Sequence, residues 1–136
     1  MTLTEFLLAR IDEDEAAARA ASPAPWSYPG IESVAGGLLY DASRTIAQIV
    51  WDNPGDHDGS IVRFLPWDES DANGAHIARH DPARVLAECE AKRRIVEKYD
   101  HARDCGQAPG GWLEECVAYL AAVYADHPDY DEAWRV

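Results

Sequence analysis

The sequence is short of cysteine and of basic residues. Its three cysteines stand 16 and 11 residues apart, which fits neither a disulfide framework nor a paired C-x-x-C metal site, so we expect reduced thiols. Twelve Lys and Arg residues against 25 Asp and Glu residues give a net charge of −13. This balance argues against direct nucleic-acid binding, because phosphate recognition needs a basic surface.

The chain also lacks long apolar runs. None approaches the roughly 20 residues that cross a bilayer. The opening residues, Met1 to Glu5, show no basic region followed by an apolar one, which a secretory signal requires. We therefore expect no membrane association and a cytoplasmic location.

The residues that are present predict a folded chain. The 136 residues are 47% hydrophobic and include five Trp and six Tyr, which is unlike the composition of disordered chains. A chain of this length buries roughly two-thirds of its surface and builds one core. We predict a single domain over residues 1–136.

The N-terminal segment predicts a helix over residues 2–20. Its apolar positions recur near the helical period, at Leu3, Phe6, Leu7 and Ile11. Three prolines between residues 22 and 30 then stop the helix, because proline removes a backbone donor and restricts the residue before it. The loop that follows carries Trp26 and Tyr28.

The middle of the chain predicts a β-meander over residues 36–66. β-Branched and aromatic runs at 38–40, 45–51 and 61–65 are separated by turn-rich segments. Two or three antiparallel strands account for this pattern.

The C-terminal half predicts helices over residues 81–100 and 111–124. Asp81 is a suitable N-cap, and Pro82 suits the first helical position. A short helical segment over 75–80 is also compatible with the sequence, and the aromatic tail, residues 125–136, is expected to dock. The predicted fold class is α+β, with a small antiparallel two- or three-stranded meander packed against three helices.

Two histidines and an acid form the first candidate metal site. His76 and His80 share one helical face, as the metal-binding pair of a zincin does, but Ile77 stands where a zincin needs its glutamate. A third ligand, Asp81 among others, would complete a transition-metal site. The alternative is that these residues cap and pack the start of the helix at Asp81-Pro82.

A second candidate trio is His101, Cys105 and Cys116, because Cys and His across a helix–loop–helix junction suit tetrahedral zinc. The hydrophobic pattern opposes it. Cys116 lies on the stripe of Leu113 and Val117, and Cys89 also falls on an apolar stripe, where thiols behave as small core residues. We therefore predict core thiols at 89 and 116 and an exposed thiol at 105.

Two surface features favour binding. Trp26, Tyr28 and Trp67 stand on or beside proline-rich loops and are predicted to form a recognition surface, with burial under the loops as the alternative. The basic run Lys92–Arg94 has acids three or four residues away on the same helix, so we predict that it is charge-compensated within that helix.

Several motifs resemble an uncharacterised family found in actinobacteria and their phages. They are HIARHDPARVL at 76–86, EAKRRI at 90–95, YADHPDY at 124–130 and the opening FLLARIDEDE at 6–15. The resemblance covers about half the chain and implies no established activity, ligand or catalytic residue. Relatives carry additional cysteines in the segment that corresponds to 104–116, which implies a small metal site that is degraded or absent here.

The leading functional hypothesis is a small acidic protein-interaction module with a protein partner and no cofactor. One form of it is an inhibitor that imitates the phosphates of a nucleic acid and so occupies a basic protein. The alternative is a metal-dependent or small-molecule enzyme centred on His76, His80 and Asp81, with zinc or another divalent metal as cofactor.

Overall fold

The computed structural model describes residues 1–30, 37–41, 43–49, 67–106 and 111–136. In chain order its elements are α1 (Leu3–Ala20), β1 (Gly37–Tyr40), β2 (Thr45–Ile49), α2 (Trp67–Arg79), α3 (Pro82–Asp104), α4 (Gly111–Ala122) and a 3-10 turn (Glu132–Trp134). The predicted α+β class is confirmed. The chain divides into two compact units, one of residues 1–17 with 85–136 and the other of residues 18–84.

The first unit has a helical core built from α1, α3 and α4. Each helix contributes apolar residues at helical spacing, and their removal from water supplies the main stabilising term. The buried cluster consists of Phe6, Leu7, Ile11, Cys89, Val96, Tyr99, Val117 and Ala121. Because these residues turn one face of each helix toward the core, the remaining faces of α1, α3 and α4 are exposed to solvent.

Local hydrogen bonds set the first turn of α1. Thr2 Oγ1 accepts the amide of Glu5 at 3.2 Å, and Glu5 Oε2 accepts the amide of Thr2 at 2.7 Å. This reciprocal pair is a capping box, which satisfies donors that a helix start leaves open. The hydrogen bonds from Thr2 lower the pKa of Glu5 below its ordinary value.

Residues next to α3 in the sequence also determine where this helix starts and ends. Asp81 Oδ1 accepts the amide of Arg84 at 2.9 Å, so Asp81 is the N-cap, and Pro82 occupies the first helical position. The helix continues to Asp104, past the predicted end at residue 100. It ends there because Gly106, at φ +66°, adopts the left-handed conformation that commonly terminates helices.

The C-terminal tail contacts α1 through aromatic rings. Trp134 and Tyr130 lie 5.1 and 5.9 Å from the ring of Phe6, measured between centroids, and His127 lies 5.8 Å from it. Edge-on contacts of this kind stabilise aromatic clusters beyond the area they bury. The buried Arg10 contacts His127 and donates to Glu13 Oε1 at 2.7 Å.

The second unit contains an antiparallel hairpin of β1 and β2. Leu38 pairs with Gln48 and Leu39 with Ala47, and the register shifts between Leu39 and Tyr40. The turn depends on Asp41, whose Oδ1 accepts the amides of Ser43 and Arg44 at 2.8 and 2.9 Å. These bonds lower the pKa of Asp41, with the Ser43 amide as the largest cause.

The proline-rich loop and α2 both pack on this hairpin. Ser27 exchanges two backbone hydrogen bonds with Tyr40, at 2.9 and 3.0 Å, which adds a bridge beside β1. Tyr28, the next residue, packs its ring on Gly74 of α2, where a glycine leaves room for close approach. The loop is thereby attached to the unit by its backbone and by one aromatic ring.

The structure differs from the sequence-based prediction mainly at α2. The helix spans Trp67–Arg79, whereas the sequence favoured only a short segment near residues 75–80. Helix propensity is low at three positions in this segment, Ser70, Asn73 and Gly74, so the local sequence does not predict the full length of α2. Packing on the hairpin stabilises the helix over that length. The predicted strand at 61–65 lies outside the described residues, and the single-domain organisation stays a prediction.

Candidate functional site

The two histidines of the first candidate metal site lie side by side at the end of α2. The rings of His76 and His80 are 4.5 Å apart between centroids, tilted by 43°, and both side chains are exposed. The i, i+4 spacing on a continuous helix produces this proximity. The predicted pairing of the imidazoles is therefore present.

The proposed third ligand, Asp81, is engaged elsewhere. Its Oδ1 caps α3, and its Oδ2 accepts the backbone amide of Trp26 at 3.3 Å. Within the described ranges, no three His, Cys, Asp or Glu side chains converge as a metal site. A complete site of His76, His80 and Asp81 stays a prediction.

The predicted recognition aromatics make contacts within the second unit. Trp26 donates from Nε1 to the carbonyl of Ser22 at 2.9 Å, and Tyr28 packs on Gly74. Burial, followed by the charge of Asp71, raises the pKa of Tyr28. Trp67 begins α2, and its side chain lies outside the described residues. Both described rings are partly buried, and recognition by these residues stays a prediction.

The basic run on α3 is compensated mostly by other elements. Arg94 pairs with Glu90 on its own helix at 2.8 Å, as predicted. Arg93 instead reaches α1, where it meets Asp12 at 2.7 Å and Glu15 at 3.2 Å. The prediction of compensation within one helix is wrong for Arg93, because acids 78 and 81 residues earlier in the chain are brought beside it.

A polar network also joins α1, α3 and the end of α4. The Tyr124 hydroxyl donates to Asp14 Oδ2 at 2.7 Å, and Lys92 Nζ lies 3.4 Å from the same hydroxyl. Burial, then the hydrogen bond to Asp14, raises the pKa of Tyr124. The neutral hydroxyl acts here as a hydrogen-bond donor that ties the turn after α4 to α1.

The three thiols occupy different environments. Cys89 is 1% exposed, and burial raises its pKa, which confirms the prediction of a core thiol there. Cys105 is exposed, with Sγ 3.7 Å from His101 Nε2. Cys116 is also exposed, so the prediction that it belongs to the core is wrong.

The position of Cys116 follows from the orientation of α4. The apolar residues on one side of this helix and the turn after it pack on the core, and we call them the inner seam: Leu113, Val117, Leu120 and Tyr124. A second set, one position earlier and therefore about 100° around the helix, faces solvent, and we call it the outer seam: Trp112, Cys116, Tyr119 and Val123. Trp112 is 69%, Tyr119 57% and Val123 70% exposed.

The sequence predicted one apolar stripe with Leu113, Cys116 and Val117, and the exposure of Trp112, Tyr119 and Val123 was not predicted. The two seams have identical spacings of four, three and four residues and are displaced by one position. Periodicity cannot choose between them, since each is a complete apolar stripe. The sequence did contain a signal for the exposed residues: a helix needs only one apolar stripe to pack on a core, so a second complete stripe indicates an apolar surface facing solvent.

An acidic residue, Glu115, flanks the outer seam. Glu115 is exposed and lies three residues after Trp112 and four before Tyr119, so it flanks both on the helix surface. Residues 111–136 contain six acids and one base, Arg135, which pairs with Glu132 at 2.7 Å. The site is an apolar helix face flanked by Glu115, in a C-terminal segment that carries more acids than bases.

The fold and this surface define a small acidic α+β protein with a solvent-facing apolar seam. The chain belongs to a family of unknown function, DUF6221, whose model matches residues 1–136. The predicted membership of an uncharacterised family is thus confirmed. Neither the curated proteins nor the solved structures contain a match. None of the helices in the described part of the chain has the length and apolar character needed to cross a membrane.

Proposed function

We propose that this protein is a small interaction module whose outer seam binds a helix of a basic protein partner. The observation that carries the proposal is the exposure of Trp112 and Tyr119 on one face of α4, and of Val123 in the turn that follows it. Tryptophan and tyrosine are enriched among residues that dominate binding energy, and a contiguous apolar stripe on a soluble protein marks an interaction site.

The spacing of the outer seam indicates the shape of the partner. Steps of four, three and four residues are the spacing of a coiled-coil seam, in which side chains of one helix insert between those of another. An amphipathic helix with an apolar face of the same spacing is the complementary surface. Glu115 then occupies a flanking position, where coiled-coil partners place an opposite charge.

Charge distinguishes a basic partner from a second copy of the chain. Pairing two outer seams would bring two Glu115 side chains and two chains of net charge −13 together. Like charges placed across an interface oppose association, whereas Lys or Arg beside the partner's apolar face would be attracted. We therefore propose a basic protein, and not a second copy of this chain, as the occupant.

The test uses a synthetic helical peptide of about three heptads, with Leu at the seam positions and Lys at the flanking positions. We expect it to bind the full chain in a fluorescence anisotropy titration. Trp112→Ser and Tyr119→Ser should each weaken binding by roughly 30-fold, which corresponds to about 2 kcal/mol for an aromatic anchor. Val136→Ser is the matched control, because Val136 is 64% exposed but lies outside the seam.

A charge exchange tests the flanking position independently of folding. Glu115→Lys should weaken binding of the Lys-flanked peptide and strengthen binding of an otherwise identical Glu-flanked peptide. A structural defect would weaken both. Equal binding of the two peptides by the native chain would contradict the proposed charge complementarity.

The nucleic-acid-mimic form of the hypothesis gives a different outcome. A partner held only by carboxylates would bind equally well to Trp112→Ser and would be released steeply by salt, because its attraction is electrostatic. A partner held by the outer seam would retain much of its affinity in salt and lose it with the tryptophan. Pull-down of basic proteins from an actinobacterial lysate by the native chain and by Trp112→Ser, at low and high salt, distinguishes a nucleic-acid mimic from binding by the outer seam.

A further inference from the structure

The second unit presents a pair of imidazoles that the interaction surface does not use. His76 lies in the last turn of α2 and His80 directly follows the helix, with ring centroids 4.5 Å apart. Both are exposed, and neither ring has a hydrogen-bond partner among the described residues. Two imidazoles at i, i+4 on a helix can direct nitrogen atoms to one point in solvent.

The position of the pair favours a cation. The C-terminal end of a helix carries a partial negative charge, and the pair lies at the C-terminal end of α2, which finishes at Arg79. The net charge of −13 adds a general attraction for cations. Imidazole nitrogen is a preferred ligand of the late first-row divalent metals.

We propose that His76 and His80 form a two-imidazole chelate for Zn²⁺, Ni²⁺ or Cu²⁺, with solvent at the remaining coordination positions. The chelate does not require Asp81, whose carboxylate oxygens already accept the amides of Arg84 and Trp26. Two protein ligands leave the site open and exchangeable, unlike the four-ligand sites that stabilise folds. Binding weakens in acid, since protonated imidazole cannot coordinate.

The test is a zinc titration by calorimetry on the full chain without a purification tag. His101 and Cys105 are another neighbouring ligand pair, so the background carries His101→Ala and Cys105→Ser. We expect one zinc per chain in this background. His76→Ala and His80→Ala should each weaken zinc affinity by roughly tenfold or more, because losing one ligand removes the chelate advantage.

A variant with the same number of histidines isolates geometry. In the double variant His76→Ala with Ala75→His, the first imidazole moves by one residue, about 100° around the helix, and leaves the face of His80. It should bind zinc as weakly as His76→Ala, with unchanged circular dichroism. Affinity equal to that of the background chain in this variant, or in either single variant, would overturn the chelate.

Discussion

Replacing Gly74 by alanine tests the contact that joins the proline-rich loop to α2. A Cβ atom at this position would lie 2.4 Å from both Cε2 and Cζ of Tyr28. Carbon atoms in contact are about 3.5–4.0 Å apart, so the ring must move by roughly 1 Å or more. Gly74 is itself buried, so the helix has little freedom to yield.

Two effects of opposite sign decide the outcome. Alanine is favoured over glycine inside a helix by about 1 kcal/mol. Overpacking costs about 1–3 kcal/mol, and displacing a partly buried aromatic ring lies at the upper end of that range. We expect Gly74→Ala to lower the free energy of unfolding by about 1–2 kcal/mol, measured by urea unfolding with circular dichroism.

The sign should reverse when the ring is removed. In a Tyr28→Ala background the clash is gone, so Gly74→Ala should stabilise the chain by about 1 kcal/mol. Gly111→Ala is the matched control, because among the described residues no atom outside its own helix backbone and chain neighbours lies within 4 Å of its added Cβ, and its effect should be small. Stabilisation by Gly74→Ala in the native chain, or the same effect in both backgrounds, would refute the packing of Tyr28 on this helix.

Three further perturbations follow from the first unit. Tyr124→Phe removes the hydrogen bond to Asp14 and should lower stability by about 1 kcal/mol at neutral pH. Because folding raises the pKa of Tyr124, its neutral hydroxyl stabilises the fold fully below the ordinary tyrosine pKa of 10.0, and this contribution is lost as the pH rises past that value. The difference in stability between the native chain and Tyr124→Phe should therefore be smaller in alkali than at neutral pH. Arg93→Gln should lower the free energy of unfolding in urea by about 0.5 kcal/mol more than Arg94→Gln, because the Arg93 side chain is 26% exposed and that of Arg94 is 74% exposed. About 1 M salt should remove this difference, since salt screens both ion pairs. Iodoacetamide should alkylate two thiols of the folded chain and spare Cys89, and mass spectrometry should find all three modified after unfolding in urea.

Features determined by neighbours in sequence were predictable. The start of α1 needs only a capping residue, and the start of α3 needs only Asp81 followed by Pro82, so both were placed within two residues. The hairpin strands were predictable from apolar runs rich in aromatic or β-branched residues on either side of the turn at Asp41. The proximity of His76 and His80 likewise required nothing beyond a continuous helix.

Features determined by tertiary packing were not predictable. The length of α2 depends on its contact with the hairpin, since Gly74 opposes a helix locally and is required by the ring of Tyr28. The partners of Arg93 come from α1, far away in sequence. The orientation of α4 was ambiguous because either seam satisfies the helical period, and only the packed core selects the inner one.

The reactivity of Cys116 offers the most direct test of the outer seam, because this thiol lies between Trp112 and Tyr119 on the face proposed to bind. The measurement is its alkylation rate in a Cys105→Ser chain, without and with a saturating amount of the Lys-flanked peptide. The thiol should react readily in the free chain and be protected by this peptide, but not by the Glu-flanked one. An unreactive thiol in the free chain, or an unchanged rate with the Lys-flanked peptide, would contradict a solvent-facing seam that binds a basic helix.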